Sequence, residues 1–294
     1  MPANKSKSQF RNLLSRPAIL YMVILTQLPL VFTLVYSLSN WNMLRPDRTR
    51  FVGLNNYLNF FQDSDVLAIL GNTLVFSISV VLLSLIFGMA LALLVNRQFI
   101  GRGFARTLLI TPFLIMPTVS AVMWKNMLLN PAYGLISTLL VSLGGPRISW
   151  LGDFPMMSLI VIVTWQWMPF MMLILLAGLQ SVDNEWYEAA QIDGAGAGNI
   201  FLHITLPHLT RYIEIAVLLE TLFVLNIFGE IFVTTTGGPG IETTTLTFNI
   251  FLEAFSRWNI GRASAYGVIA VILANIITLF FIRIIRGSQD KAAA

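Results

Sequence analysis

Residues 188–207 read EAAQIDGAGAGNIFLHITLP. The stretch contains no Lys or Arg and is too polar to cross a membrane, yet long apolar runs flank it at 155–179 and 212–235. A helix-forming polar segment between two such runs belongs at a membrane surface. Ser181 or Asp183 can cap a first helix, because either side chain accepts from the free N–H groups of a first turn. Residues 184–193 set Trp186, Ala189, Ala190 and Ile192 among acids, the pattern of a short amphipathic helix. Gly194, Gly196 and Gly198 allow a sharp turn and close backbone approach. A second helical stretch, 199–206, is expected to end at Pro207.

Outward from this loop the chain is apolar. Its 294 residues are 56% hydrophobic and 11% charged, too little polar surface for a soluble domain. Six runs, at about 17–38, 70–95, 108–129, 155–179, 212–235 and 264–285, are each long enough for a hydrocarbon core of about 30 Å. Ten-residue alternating strands are absent, so an all-α bundle is expected rather than a barrel. Eleven of the 18 Lys and Arg fall in segments that are inside if the N-terminus is inside, which predicts both termini cytoplasmic, as tails 1–16 and 286–294. Lys5, Lys7, Arg11 and Arg16 then precede a first span too long for a signal peptide. The loop 181–210 breaks the bias with Asp183, Glu185, Glu188 and Asp193, which suits either a basic partner surface or plain solvation. Pro29, Pro117 and Pro169 lie inside spans and permit kinks. After the first span, a short interfacial helix is expected at 54–61.

The loop carries a resemblance. Glu188-Ala189-Ala190, three residues, Gly194, nine residues, Ile204, one residue and Leu206-Pro207 match in full the EAA motif of membrane subunits of bacterial binding-protein-dependent ABC importers. PFMMLILLAGLQSV at 169–182 and TTTGGPG at 234–240 resemble the carbohydrate branch of that family, similar to maltose-transporter permeases. The resemblance implies a type I importer permease with six spans. Its loop would form a coupling helix in a cleft of a homodimeric cytoplasmic ATPase. Glu188 would reach basic or polar groups there, and Gly194 would make the turn. Ala189, Ala190, Asp193, Ile204, Leu206 and Pro207 would complete the coupling surface or support it. A second related permease, an extracytoplasmic substrate-binding protein and a sugar, polyol or modified hexose would complete the system. Amino-acid or oligosaccharide permeases, and less readily a secondary transporter or channel, remain alternatives.

No G-x-x-x-x-G-K-[ST] occurs, so this chain is expected to bind no cofactor, with ATP and Mg held by the partner ATPase. Gly194–Gly198 lacks the strand and spacing of a dinucleotide loop. His203 and His208 are five apart and have no paired ligand at helical spacing, and no metal site is expected. No nucleophile–base arrangement points to an enzyme, and the small net charge of +4 points to no nucleic acid. A sugar pathway needs aromatic faces beside amide or carboxylate groups. Span four offers Trp165, Gln166 and Trp167 near its middle. Span five offers Asn226, about 21 Å from its start, and Glu230 one turn on, where an unbroken helix would put both on one face. Trp165 and Trp167 point to different sides, so only one can line a cavity. Glu220 is expected to pair with another span or subunit. TTTGGPG is expected to form a tight outer turn with Pro239 at its corner.

Overall fold

The computed structural model describes the backbone of residues 3–293 and the side chains of residues 16–283 other than 18. Lys5, Lys7, Arg11, Arg286 and Lys291 lie outside the described side chains. The described residues are mostly helical, and extended pairing is confined to two isolated bridges, Ser39 with Phe51 and Asn42 with Asn259. In order the helices are α1 (Ala3–Ser37), α2 (Asn55–Gln62), α3 (Ser64–Asn96), α4 (Arg102–Leu114), α5 (Pro117–Met123), α6 (Leu135–Ser142) and α7 (Trp150–Asp153). They continue as α8 (Pro155–Gln180), α9 (Asn184–Ile192), α10 (Ala197–Ile200), α11 (Leu206–Val224), α12 (Gly229–Thr234), α13 (Leu246–Phe251) and α14 (Ile260–Ala293).

Among the described residues four helices are long and apolar enough to cross a membrane: Ile19–Ser37 within α1, α3, α8 and Ile260–Arg283 within α14. A further apolar pair makes a fifth crossing if it is counted as one broken span. The run expected as the third span, in which Pro117 permits a kink, divides into α4 and Pro117–Leu128, bent by 99°. The cause is local. Proline disfavours helical geometry at the residue before it, and Met116, before Pro117, is extended at φ −56°, ψ 133°, as is Ile115 at φ −74°, ψ 134°.

The run expected as span five is likewise not one helix, since α11 stops at Val224 and α12 begins at Gly229. Asn226 explains the interruption. In an unbroken helix its backbone N–H would take the Leu222 carbonyl. Instead its side-chain Nδ2 donates to that carbonyl at 2.8 Å, and the backbone N–H moves to Phe223 at 3.0 Å. The Leu225 carbonyl is taken by Thr247 Oγ1 at 2.7 Å. Asn226 and Glu230 therefore do not share a helix face, contrary to the sequence expectation.

The chain divides into two compact units. In the larger (Ser64–Phe248, Ile272–Ala294) the main contact is α3 against α8. Gly88 permits it: a Cβ there would lie 2.8 Å from Met171 Cβ and 3.0 Å from the Met168 carbonyl. Such close approach through small residues is how helices associate in lipid, where no hydrophobic force separates helix from solvent. Phe76, Val80, Leu159, Ile162, Met171 and Leu175 fill the interior. Glu220 is wholly buried beside Ser84 of α3, and its carboxylate oxygens make no hydrogen bond of regular geometry, so the pairing expected for it is not made within the described chain. The TTTGGPG turn is built into this unit rather than displayed on a free loop. Thr244 Oγ1 donates to the Gly237 carbonyl at 3.0 Å, and Asn72 Nδ2 to the Ile241 carbonyl at 2.7 Å. Gly237 (φ +86°) and Gly240 (φ +58°) take left-handed geometry, whereas Gly238 does not.

The smaller unit (Met1–Asp63, Asn249–Val271) contains the expected interfacial helix as α2. Buried Glu253 pairs with Arg257 Nη1 at 2.5 Å and Arg262 Nη2 at 3.5 Å. Arg262 also donates to the Tyr266 hydroxyl at 2.7 Å and lies 3.5 Å from Asp63. Phe60, fully buried, meets the Tyr266 ring edge-on at 4.9 Å.

Candidate functional site: the 181–210 loop and the aromatic cluster

The polar loop is a helix–turn–helix. Asp183 caps α9, accepting from the Glu185 N–H at 3.2 Å. The far end of α9 closes with a Schellman pattern: the Ala195 N–H donates to the Ala190 carbonyl at 2.9 Å and the Gly194 N–H to Gln191 at 3.1 Å. That pattern requires a left-handed residue, and Gly194 supplies it at φ +79°. Gly196 (φ −71°) only precedes α10, and Gly198 lies inside it.

Pro207 does not end the second helix, in contrast to the expectation. The chain runs from α10 through one π-helical turn, Phe201–Thr205, directly into α11, with Pro207 in its first turn. Proline lacks the N–H that helical pairing needs, and its ring crowds the carbonyl one turn back. The wider turn relieves both, with the Leu206 N–H donating to Phe201.

The loop's two stems are tied together. Ser181 Oγ lies 2.9 Å from His208 Nε2 and 2.9 Å from the Tyr212 hydroxyl, and donates to the Gly178 carbonyl at 2.8 Å. Gly178 is closed against α11, where a Cβ would meet Leu209 and Tyr212 at 2.7 Å. Nearer the tip, the Tyr187 hydroxyl lies 3.3 Å from Thr205 Oγ1. Tyr187 and Ala190 therefore form the inner, half-buried face of α9. Glu185, Glu188, Ala189 and Ile192 form the outer one. Glu188, Ala189, Asp193 and Gly194 are exposed, with Trp186 (66%) and Ile192 (86%) open beside them. Ile204 and Leu206 are half-buried and Pro207 exposed. Sequence reasoning missed the Ser181–His208–Tyr212 clasp. Its signal was the helical spacing of His208 and Tyr212, four apart, opposite a serine at the other stem.

The pathway candidates separate. Trp165 is committed to packing. It meets Trp124 edge-on at 5.6 Å in a cluster with Leu129, Ile162 and Trp150. Gln166 is buried and donates to the Ile115 carbonyl at 3.1 Å, which satisfies the backbone at the broken third span. Trp167 joins a four-ring cluster that sequence reasoning did not assemble. It stacks on Phe223 at 5.3 Å and meets Phe113 and Phe170 edge-on at 5.5 and 5.8 Å. Phe223 is exposed, as is Asn226 three residues on, in the interruption after α11. Glu230 is buried in the first turn of α12. Lys125 Nζ donates to the Val233 carbonyl at 2.8 Å and ties α12 to the bent span. Among the described residues no group of three His, Cys, Asp or Glu could hold a metal.

A helical membrane body with broken spans and an exposed helix–turn–helix defines a class, the type I ABC importer permease. The chain superposes with a TM-score of 0.81 on a crystal structure of a bacterial ABC transporter involved in the import of the acidic polysaccharide alginate, covering 96% of each chain at 21% identity. Residues 84–290 match the family described as binding-protein-dependent transport system inner membrane component, and the chain belongs to that family. It is 38% identical over 276 residues to a probable ABC transporter permease protein of Sinorhizobium fredii, covering 93% of this chain and 89% of that one. It is 34% identical over 280 residues to the trehalose/maltose transport system permease protein MalF of Thermococcus litoralis, covering 93% and 92%. The chain is thus a multi-pass inner-membrane permease subunit of an ABC importer.

Proposed function

We propose that this subunit carries a sugar through the membrane by alternating access, driven through α9 by a separate homodimeric ATPase that binds ATP and Mg. The observation that carries the reading is the loop itself. Its outer face, with Glu188, Ala189 and Ile192, is open, while its stems are fastened to α8 and α11 by Ser181, His208 and Tyr212. A surface held so stiffly moves as one body with the helices behind it. Ala190, Asp193, Gly194, Ile204, Leu206 and Pro207 fix its shape and its angle to α11. A second permease would complete the pathway, and an extracytoplasmic binding protein would deliver the substrate.

The sugar reading draws on the relatives named for trehalose and maltose. These names favour an oligosaccharide such as a disaccharide over the monosaccharide, polyol or modified hexose that the resemblance alone suggested. Within the pathway, exposed Phe223, backed by Trp167, offers a flat face for sugar C–H groups, and Asn226, whose Nδ2 is given to the Leu222 carbonyl, offers its amide oxygen for hydroxyls. Trp165 and Gln166 are instead committed to packing and to the Ile115 carbonyl, and Glu230 is buried in α12. The test is Glu188→Lys in the assembled transporter. Uptake falls at least tenfold while insertion and assembly with the second permease persist. Normal uptake at normal membrane levels would refute the coupling role.

A further inference from the structure

The loop after α1 carries an unexplained charge. Residues 39–53 hold Arg45, Arg48 and Arg50 against one acid, Asp47. On the orientation favoured by the Lys and Arg count this loop is outside, where arginine is disfavoured. The loop is stiff. Asn40 N–H donates to the Arg50 carbonyl at 2.9 Å, Val52 N–H to Leu38 at 2.8 Å and Met43 N–H to Trp258 at 2.9 Å, and Pro46–Arg48 forms a 3-10 turn. The three arginines line an open cavity of about 860 Å³ together with Asn40, Asn42, Leu44, Thr49 and one acid, Asp47, so the lining keeps a net positive charge. None of the three guanidinium groups makes an ion pair or side-chain hydrogen bond among the described residues. Three unpaired forks around one cavity match the oxygens of a phosphate or carboxylate, which arginine engages two at a time.

The surroundings choose between anions. Phe51 (78%), Leu44 (68%) and Leu54 (64%) stand open around the arginines. The loop follows directly on Ile19–Ser37, a span with almost no buried surface, and precedes α2, whose Leu58 and Phe61 are also exposed. Basic groups set among exposed apolar side chains at a span end suit the headgroup level of a bilayer, where cations meet phosphate and apolar groups enter the acyl region. A free inorganic anion would satisfy the arginines but leave this apolar rim in water.

We propose that the Arg45–Arg48–Arg50 cavity binds the phosphate of an anionic phospholipid headgroup. The site is independent of the sugar reading, so either can fail without the other. The test is native mass spectrometry of the full assembled transporter with phosphatidylglycerol or phosphatidylcholine. The wild type retains phosphatidylglycerol at least tenfold more than phosphatidylcholine. The triple variant Arg45→Gln/Arg48→Gln/Arg50→Gln loses this preference, while Arg45→Lys/Arg48→Lys/Arg50→Lys, assembled normally, keeps most of it. Inorganic phosphate alone competes only weakly if the acyl chains share in binding. Equal retention of the two lipids, an unchanged preference in the Gln variant, or full displacement by millimolar phosphate would overturn the proposal. So would a Gln variant that keeps its lipid and loses only the binding protein.

Discussion

Gly194→Ala isolates the turn on which the coupling surface depends. Gly194 has φ +79°, and a Cβ built on it meets nothing within 4 Å. The cost is therefore backbone strain alone, about 1–2 kcal/mol for an L-residue in the left-handed region. If the chain relaxes instead, it gives up the bonds from Ala195 and Gly194 to Ala190 and Gln191, each worth about 0.5–1.5 kcal/mol net. Either route raises the open fraction of the turn by a factor of about 5–30. Gly198 is the internal control. It lies inside α10 with open space around its Cβ position, so Gly198→Ala stabilises by about 0.5–1 kcal/mol. Hydrogen exchange of the assembled transporter, read on peptides covering 186–198, separates them. Gly194→Ala speeds exchange at 194 and 195 by about 5–30-fold and lowers substrate moved per ATP, while Gly198→Ala does neither. Equal effects from the two substitutions, or a worse effect from Gly198→Ala, would refute the reasoning.

Trp165→Ala empties a packed cluster and destabilises by about 3–5 kcal/mol, seen as a lower melting temperature and membrane yield. Trp167→Ala also loses packing against Phe113, Phe170 and Phe223, but it cuts uptake by a larger factor than it cuts membrane yield, read in a direct transport assay normalised to the transporter present. Gly88→Val forces α3 from α8, since its Cβ would stand 2.8 Å from Met171; overpacking of about 1–3 kcal/mol lowers the melting temperature, while Gly71→Val, with nothing within 4 Å, leaves it unchanged. Arg262→Met strips buried Glu253 of the more distant of its two cations and, with Arg257 still paired, destabilises by about 1–3 kcal/mol; the double variant Glu253→Met/Arg262→Met recovers part of that in thermal unfolding.

The features legible in sequence were local or compositional. Asp183 capping α9 and the glycine turn after it follow from side-chain reach and φ freedom, which neighbouring residues determine. Apolar runs locate α1, α3, α8 and α14 because a bilayer imposes length directly. What stayed hidden depended on hydrogen bonds redirected by a single residue. Pro207 reads as a helix end, yet the π turn before it absorbs the missing N–H. Asn226 reads as a helical pore residue, yet its amide displaces its own backbone N–H and breaks the helix. The aromatic cluster joins residues 113, 167, 170 and 223 from three helices, and no periodicity within one segment can reveal it. Of the two tryptophans in span four, only tertiary packing assigns Trp165 to the core and Trp167 to the ring cluster.

The measurement that bears most directly on the central claim is site-specific photo-crosslinking from position 188 in the membrane-embedded transporter. A photoreactive residue replacing Glu188 on the exposed face of α9 is predicted to capture the ATPase subunit, with a yield that changes when ATP is added. The same group replacing exposed Leu143, beyond α6, captures no ATPase. Capture of lipid alone from position 188, or equal capture of ATPase from both positions, would contradict the account.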